Sequence, residues 1–449
     1  MTTSLSGFPE LLPSQRFVEL AVLDRLRSIF EVHGFASVET RAAEPLDSLL
    51  RKGEIDKEVY VLRRLHAEDG DAGLGLHYDL TVPFARYVLD NAGHLEFPFR
   101  RYQIQKVWRG ERPQTGRYRE FTQADIDVVG RDVLDPYHDV EVARVMAEAL
   151  GEVDFLPPLR LQVNNRKLIE GFYLGVGATD VPAVMRIIDK LDKEPADSIA
   201  KQLVQDAGLT EHQAGQCLAL AEIRSADTSF VSKVWSLGVA HQLLDEGLDE
   251  LSAVIEGCAP ITASGRGVTV EADLRIARGL DYYTGTVFET RMAGFESLGS
   301  ICSGGRYDSL ASDGKATFPG VGISLGVTRL LMPLFQQGLL NADRSVPSVV
   351  LVALPTDADR ERCTAIAQVL RSRAIATEIA PAAQKYGKQI RYAERRGIPF
   401  VWFPSDTEDA DEVKDIRSGE QVAADAASWM PPFEDLRPQV ISTINKDEQ

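Results

Sequence analysis

Seven basic residues crowd one short stretch of this chain. Arg100, Arg101, Lys106, Arg109, Arg112, Arg117 and Arg119 stand there against one acid, Glu111. Such a run is either a solvated face or an anion site. Gly and Pro residues break it into a loop flanked by β-leaning segments, which favours the site. Arg109, at the end of the first segment, is placed to clamp a phosphate through two parallel hydrogen bonds. On the returning segment, Phe121, Gln123, Asp125 and Asp127 share one face under strand alternation. Three further clusters follow. Ala277 to Glu289 packs Arg278, Asp281, Tyr282 and Tyr283 ahead of a strand, and its plainer reading is a turn before a tyrosine-rich strand. Gly304 to Asp308 is a Gly-rich turn carrying Tyr307. Gly320 to Leu331 is a glycine-spaced strand, open to close backbone approach by a ligand. It leads into a helix with Arg329 in its first turn, where anions bind.

The elements that must hold these residues follow from periodicity. Pro13 and Ser14 open an amphipathic helix carrying Phe17, Leu20, Leu23 and Phe30, which Gly34 stops. Phe35 to Thr40 alternates as a strand. Phe99–Trp108 and Glu120–Val129 form a long hairpin with the basic loop Arg109–Arg119 at its tip, and a helix follows over Pro136–Leu150. From about Lys167 to Glu256 the chain reads as a helical insertion, with segments at Val181–Leu191, Pro195–Ala207, Glu211–Ala221 and Ser236–Gly257. Strands return at Gly267–Ala272, Thr286–Arg291 and Val321–Leu325. A boundary falls near Asn341–Pro347. Beyond it, strands at Val349–Leu354, Ala376–Ala380 and Phe400–Phe403 alternate with helices at Asp357–Arg373 and Lys388–Arg396. That alternation predicts a separate α/β domain on a small parallel or mixed sheet. Asp406–Asp411 reads as a solvated hairpin tip.

Composition bounds the function. At 449 residues the chain exceeds one ordinary core, and 44% hydrophobic with 26% charged residues is ordinary for a globular protein. No apolar run approaches the roughly 20 residues that span a bilayer, and the N-terminus has no signal-peptide pattern, so no membrane association is expected. Cys217, Cys258, Cys302 and Cys363 are scattered without a CxxC, which argues against a zinc site or disulfide framework and fits a reducing cytoplasm. The formal charge of -18 argues, taken alone, against nucleic-acid binding. The local arginine cluster argues the other way.

Together, the four clusters resemble the histidyl-tRNA synthetase family over nearly the whole chain. The segment from Arg109 resembles class II motif 2, and that ending in Arg329 resembles motif 3. Arg278-Gly-Leu-Asp-Tyr-Tyr283 and Gly304-Gly-Arg-Tyr-Asp308 are similar to the two histidine-specific signatures. The resemblance implies an α/β fold: an α+β core built on the antiparallel class II sheet with flanking helices over residues 1–342, interrupted by a helical insertion at about 167–256. An anticodon-binding α/β domain over 346–449 would complete it. It implies ATP-dependent activation of histidine and transfer to the 3′ end of tRNA(His), by a cytoplasmic homodimer using ATP and Mg²⁺, whose protein ligands it does not identify.

By the same resemblance, Asp79 and Thr81 of His77-Tyr-Asp-Leu-Thr81 hold the substrate ammonium with Gln123. Arg109 binds the α-phosphate, Glu111 sits by the adenine amino group, and Phe121 and Arg329 sandwich the adenine. Asp127 and Tyr283 read the imidazole, Tyr307 closes the pocket, and Arg278 stabilises charge at the α-phosphate. Arg112 and Gln114 meet the tRNA acceptor end. Lys388 and Arg391, on a helix face shared with Arg395, contact tRNA, although a solvated face accounts for them equally. Many bacterial members carry Glu where this chain has Asp79 and Asp127. The alternative is a non-catalytic histidine-binding paralogue that regulates ATP phosphoribosyltransferase. Such proteins usually lack the C-terminal domain and the catalytic arginines, both present here.

Overall fold

The computed structural model describes residues 5–50, 58–66, 73–276, 283–308, 311–312, 314–405 and 410–444. The chain divides into two compact units, one of residues 1–9, 22–333 and 444–449, the other of 10–21 and 334–443.

The first unit is built on a nine-stranded sheet. In chain order its strands are β1 (Ala36–Ser37), β2 (Phe99–Trp108), β3 (Glu120–Val129), β4 (Leu159–Asn165), β5 (Arg224–Ser225), β6 (Val268–Asp273), β7 (Thr286–Met292), β8 (Cys302–Tyr307) and β9 (Gly320–Gly326). Across the sheet they run β1-β2-β3-β9-β8-β7-β4-β6-β5. The five strands from β2 to β7 are antiparallel throughout, while β1 pairs with β2, and β4 with β6, in parallel.

Alternation gives this sheet two unlike faces. Ala124, Ile126 and Val128 of β3, with Val321, Ile323 and Leu325 of β9, are buried on one side. The helix Tyr137–Gly151 packs there and in turn meets the long helix Gln242–Ala263. The opposite face carries polar or absent side chains: Arg101, Gln103 and Gln105 on β2, Gln123, Asp125 and Asp127 on β3, Gly322, Ser324 and Gly326 on β9. Register stacks them, with Arg101 opposite Asp127 and Asp127 opposite Gly322.

The hairpin strands β2 and β3 coincide with the predicted segments. Two others depart from expectation. Cys302–Tyr307 is a strand rather than a turn, because its neighbours β7 and β9 supply ladder partners that override its two glycines. The predicted Phe35–Thr40 strand shrinks to two residues. Between β4 and β6 the chain is mainly helical and includes Arg166–Gly175, where Asn165 caps by accepting from Lys167 N and Leu168 N. Pro195 caps its helix rather than starting it.

The second unit holds a five-stranded sheet with Val350–Val352 parallel to both Thr377–Ile379 and Phe400–Phe403. Asp411–Asp415 and Gln421–Ala424 extend it antiparallel. Leu351, Val352, Cys363, Ala367, Ala393 and Trp402 are core residues shared by its strands and the helices Arg360–Ser372 and Tyr386–Arg396. Among the described residues of the chain, no helix is long and apolar enough to cross a membrane.

Candidate active site

Over the polar face lies a cleft of about 920 Å³, walled by residues of the 109–119 loop, β3, β8 and β9 together with Arg329. Arg109, Glu111, Arg112, Gln114, Phe121, Gln123 and Arg329 all line it. The Arg109 guanidinium stands 5.1 Å from the centre of the Phe121 ring and donates from Nε to the Tyr78 carbonyl at 2.9 Å. Its charge is held over an aromatic face while other donors remain available to an anion. Arg329 lies in the first turn of the helix Val327–Gln336 and donates to the Leu298 carbonyl. Two guanidiniums, an aromatic ring and open backbone at Gly326 therefore meet in one concavity. That combination suits a nucleotide triphosphate: cations for its phosphates, a ring face for its base.

The loop over this cleft is tied down from outside the hairpin. Gly7 O accepts from Arg119 N at 2.7 Å and Glu120 N at 3.1 Å, and Gly110 N donates to Glu58 O at 2.7 Å. Gly7 has a φ of +85°, and a Cβ there would lie 2.9 Å from both Arg119 Cγ and Pro113 Cγ, so any side chain would be strained and would displace these neighbours.

A narrower recess shares Ser303 and Ser324 with the cleft and is lined by Thr81, Asp125, Asp127, Tyr283, Gly304, Gly305, Tyr307 and Gly322. At its base the Asp127 carboxylate, 4% exposed, lies 2.7 Å from Nη2 of the fully buried Arg101. It also accepts the Tyr307 hydroxyl at 2.8 Å. Gly322 makes room for it, since a Cβ there would sit 2.1 Å from Asp127 Oδ1. Ser324 bridges Gln123 and Asp125: its hydroxyl accepts from Gln123 Nε2 at 2.6 Å and donates to Asp125 Oδ1 at 2.5 Å. Burial pushes the Asp125 carboxyl up to about 7, opposed by the Arg101 charge and the Ser324 hydrogen bond. Burial, then Asp127, Asp79 and Asp125, push the Tyr283 hydroxyl above its usual value, so it stays a donor.

Asp79 precedes the helix Thr81–Asn91 and accepts from Val82 N at 3.1 Å. Phe84 and Val88 anchor that helix against Val129 and Phe318. Among the described residues, Gln123 Oε1 is a buried acceptor without a hydrogen-bond partner. A recess lined by Asp125 and Asp127, with the Gln123 acceptor in the adjoining cleft and the Asp79 charge nearby, suits an ammonium group and a ring N–H.

These features can be set beside known proteins. A family model described as histidyl-tRNA synthetase matches residues 7–330, and one described as an anticodon binding domain matches 348–428. A histidine–tRNA ligase of Cutibacterium acnes is 60% identical over 98% of this chain and 98% of its own length. The chain belongs to the histidyl-tRNA synthetase family. A second family member, the histidine–tRNA ligase of Micrococcus luteus, is 58% identical, covering 97% of this chain and 98% of its own. The crystal structure of histidyl-tRNA synthetase from Nostoc sp. PCC 7120 superposes with a TM-score of 0.84 at 33% identity, covering 95% of this chain and 97% of that one.

Within this synthetase-family chain, the structure brings together nearly all the residues singled out from sequence. Thr81, Gln123, Asp127, Tyr283 and Tyr307 converge on the recess and its rim; Arg109, Glu111, Phe121 and Arg329 converge on the cleft. Arg278, with its neighbours 277–282, lies outside the described residues, as do 406–409 of the acidic run. Lys388 and Arg391 are exposed on the helix Tyr386–Arg396, whose Gln389 and Ala393 face the core. The sequence reading passed over Arg101, Ser324 and Glu58. The signal for Arg101 was available: the hairpin register that pairs Phe99 with Val129 sets Arg101 opposite Asp127.

Proposed function

We propose that the chain is a histidine–tRNA ligase. It would join histidine to AMP at the expense of ATP and pass the histidyl group to the 3′ end of tRNA(His). The observation that carries this reading is the shared wall of Ser303 and Ser324 between an arginine-lined cleft and an acid–tyrosine recess. An amino acid lying in the recess presents its carboxylate toward the phosphates.

The chemistry needs little from the protein beyond charge and alignment. A histidine carboxylate is already a nucleophile, so activation requires no general base. It requires the two reactants in line and the developing charge on phosphorus neutralised. Arg109 and Arg278 bind the α-phosphate, Glu111 holds the adenine amino group, and Phe121 and Arg329 enclose the adenine. Asp79, Thr81 and Gln123 take the ammonium, Asp127 and Tyr283 take the imidazole, and Tyr307 closes over it. A buried acid and hydroxyl left unpaired by any other side chain reject isosteres by roughly 10⁴ or more.

Mg²⁺ enters as ATP's companion. Among the described residues no three His, Cys, Asp or Glu side chains converge as a metal site. Bound with ATP, the ion would help neutralise the phosphate charge. Residues 1–342 serve as the catalytic core, with the 167–256 insertion leaning on the acceptor stem, and 346–449 as the anticodon-binding domain. Arg112 and Gln114 meet the acceptor end, and Lys388 and Arg391 the tRNA phosphates. The working form is a cytoplasmic homodimer. ATP–pyrophosphate exchange with each of the twenty amino acids tests the reading. Exchange with histidine alone is expected; exchange with none, or with another amino acid, overturns it.

A further inference from the structure

Arg101 is unusual for an arginine in being wholly buried beneath a ligand recess. Its guanidinium carbon stands over the Phe84 ring, 4.1 Å from the ring centre, its Nη1 donates to Gln103 Oε1 at 3.2 Å, and its Nη2 lies 2.7 Å from Asp127 Oδ2. The Tyr307 hydroxyl takes Asp127 Oδ1. The carboxylate thus meets a buried cation at one oxygen and a hydroxyl at the other. Truncating either member of this pair would strand a buried charge and be strongly destabilising; a purely structural role at this depth would be met more simply by an apolar residue.

We propose that Arg101 is a positioning residue that makes the recess read neutral imidazole rather than imidazolium. The inference rests on the histidine reading above. A buried guanidinium beside Asp127 offsets the charge that would otherwise attract a cationic ring, and directly disfavours a second desolvated cation. A neutral ring needs neither charge: its N–H goes to Asp127, and its bare nitrogen accepts from the Tyr283 hydroxyl. The other groups facing Asp127 are Asp125 on its own strand, Asp79 ahead of the Thr81–Asn91 helix, Tyr307 from β8 and Tyr283 ahead of β7. Among the described residues of the opposing β9 segment, Gly322 and Ser324 face the site without charge.

The test compares histidine with its triazole analogue, whose ring stays neutral through the same pH range. KM values come from pyrophosphate exchange at about pH 6 and pH 8, for the wild type, Arg101→Lys and Arg101→Met. Both ligands meet the same Asp125, so its titration cancels in their ratio when both bind uncharged. A free imidazole with a pKa of about 6.5 is roughly three-quarters protonated at pH 6. The wild-type ratio of histidine to analogue KM should therefore rise about fourfold from pH 8 to pH 6. Arg101→Lys should keep that rise. Arg101→Met should abolish or reverse it, with the ATP KM unmoved. A wild-type ratio that stays flat overturns the proposal without any variant, and so does a methionine variant that tracks the wild type. Absence of histidine-dependent exchange in the wild type defeats the underlying function itself and is recognisable as such.

Discussion

At the scale of single residues, Asp125 carries a consequence for stability. Its carboxyl titrates near 7 in the folded protein, against about 3.9 in an unfolded chain. Between those values the native state holds a proton that the unfolded chain has released, so this group's contribution is full below about pH 3.9 and fades as pH rises to 7. Asp125→Asn removes the titration while keeping an acceptor for Ser324. The melting temperature of that variant relative to wild type should climb from pH 5 to pH 8; an offset independent of pH would show that Asp125 does not titrate there. Tyr307 offers a second test. Losing a hydrogen bond to a charged group costs about 1.5–3 kcal/mol, so Tyr307→Phe should raise the histidine KM about tenfold or more. The ATP KM should stay within about twofold, and an equal rise in both would remove Tyr307 from the amino-acid side.

At the scale of elements, the two-faced sheet explains both what the sequence disclosed and what it concealed. The β2–β3 hairpin was legible because alternation and a Gly/Pro-rich loop are local signals. The grouping of Gln123, Asp125 and Asp127 followed from alternation alone. β8 was not legible, because Gly304 and Gly305 carry no β preference and its pairing comes from β7 and β9, one of which lies before it and the other after. For Arg101 the hairpin register gave the partner, Asp127, but not the burial, since depth is a property of the sheet and not of the run. The same sheet makes Gly322 sensitive. A methyl there would press on Asp127 Oδ1, which Tyr307 and Arg101 hold in place, and on the Ile126 carbonyl at 2.8 Å. Gly322→Ala should lower stability by about 1–3 kcal/mol in urea unfolding and raise the histidine KM at least tenfold. A histidine KM equal to wild type would mean that the carboxylate can yield.

At the scale of the whole molecule, a net charge of -18 is reconciled with an RNA substrate by local clustering rather than by overall balance. Lys388 and Arg391 project from the exposed face of one helix in the second unit, and Arg391 Nε is bonded only to its own helix, at Gly387 O, among the described contacts. Replacing both by alanine should weaken tRNA binding about tenfold at physiological salt and flatten its salt dependence, as lost phosphate contacts do. Histidine-dependent pyrophosphate exchange should be unaltered. Unchanged tRNA affinity in filter binding would leave these side chains as an ordinary wet surface.

The early backbone clasp at Gly7 reaches beyond the reaction. Residues 6 and 7 bond to Arg119 and Glu120, more than a hundred positions downstream, so the rim of the nucleotide cleft borrows its anchor from the chain's leading end. A purification tag or reporter fused just ahead of that clasp would act on the loop that walls the cleft. Preparations tagged at opposite ends should then differ in ATP affinity while agreeing in their affinity for histidine.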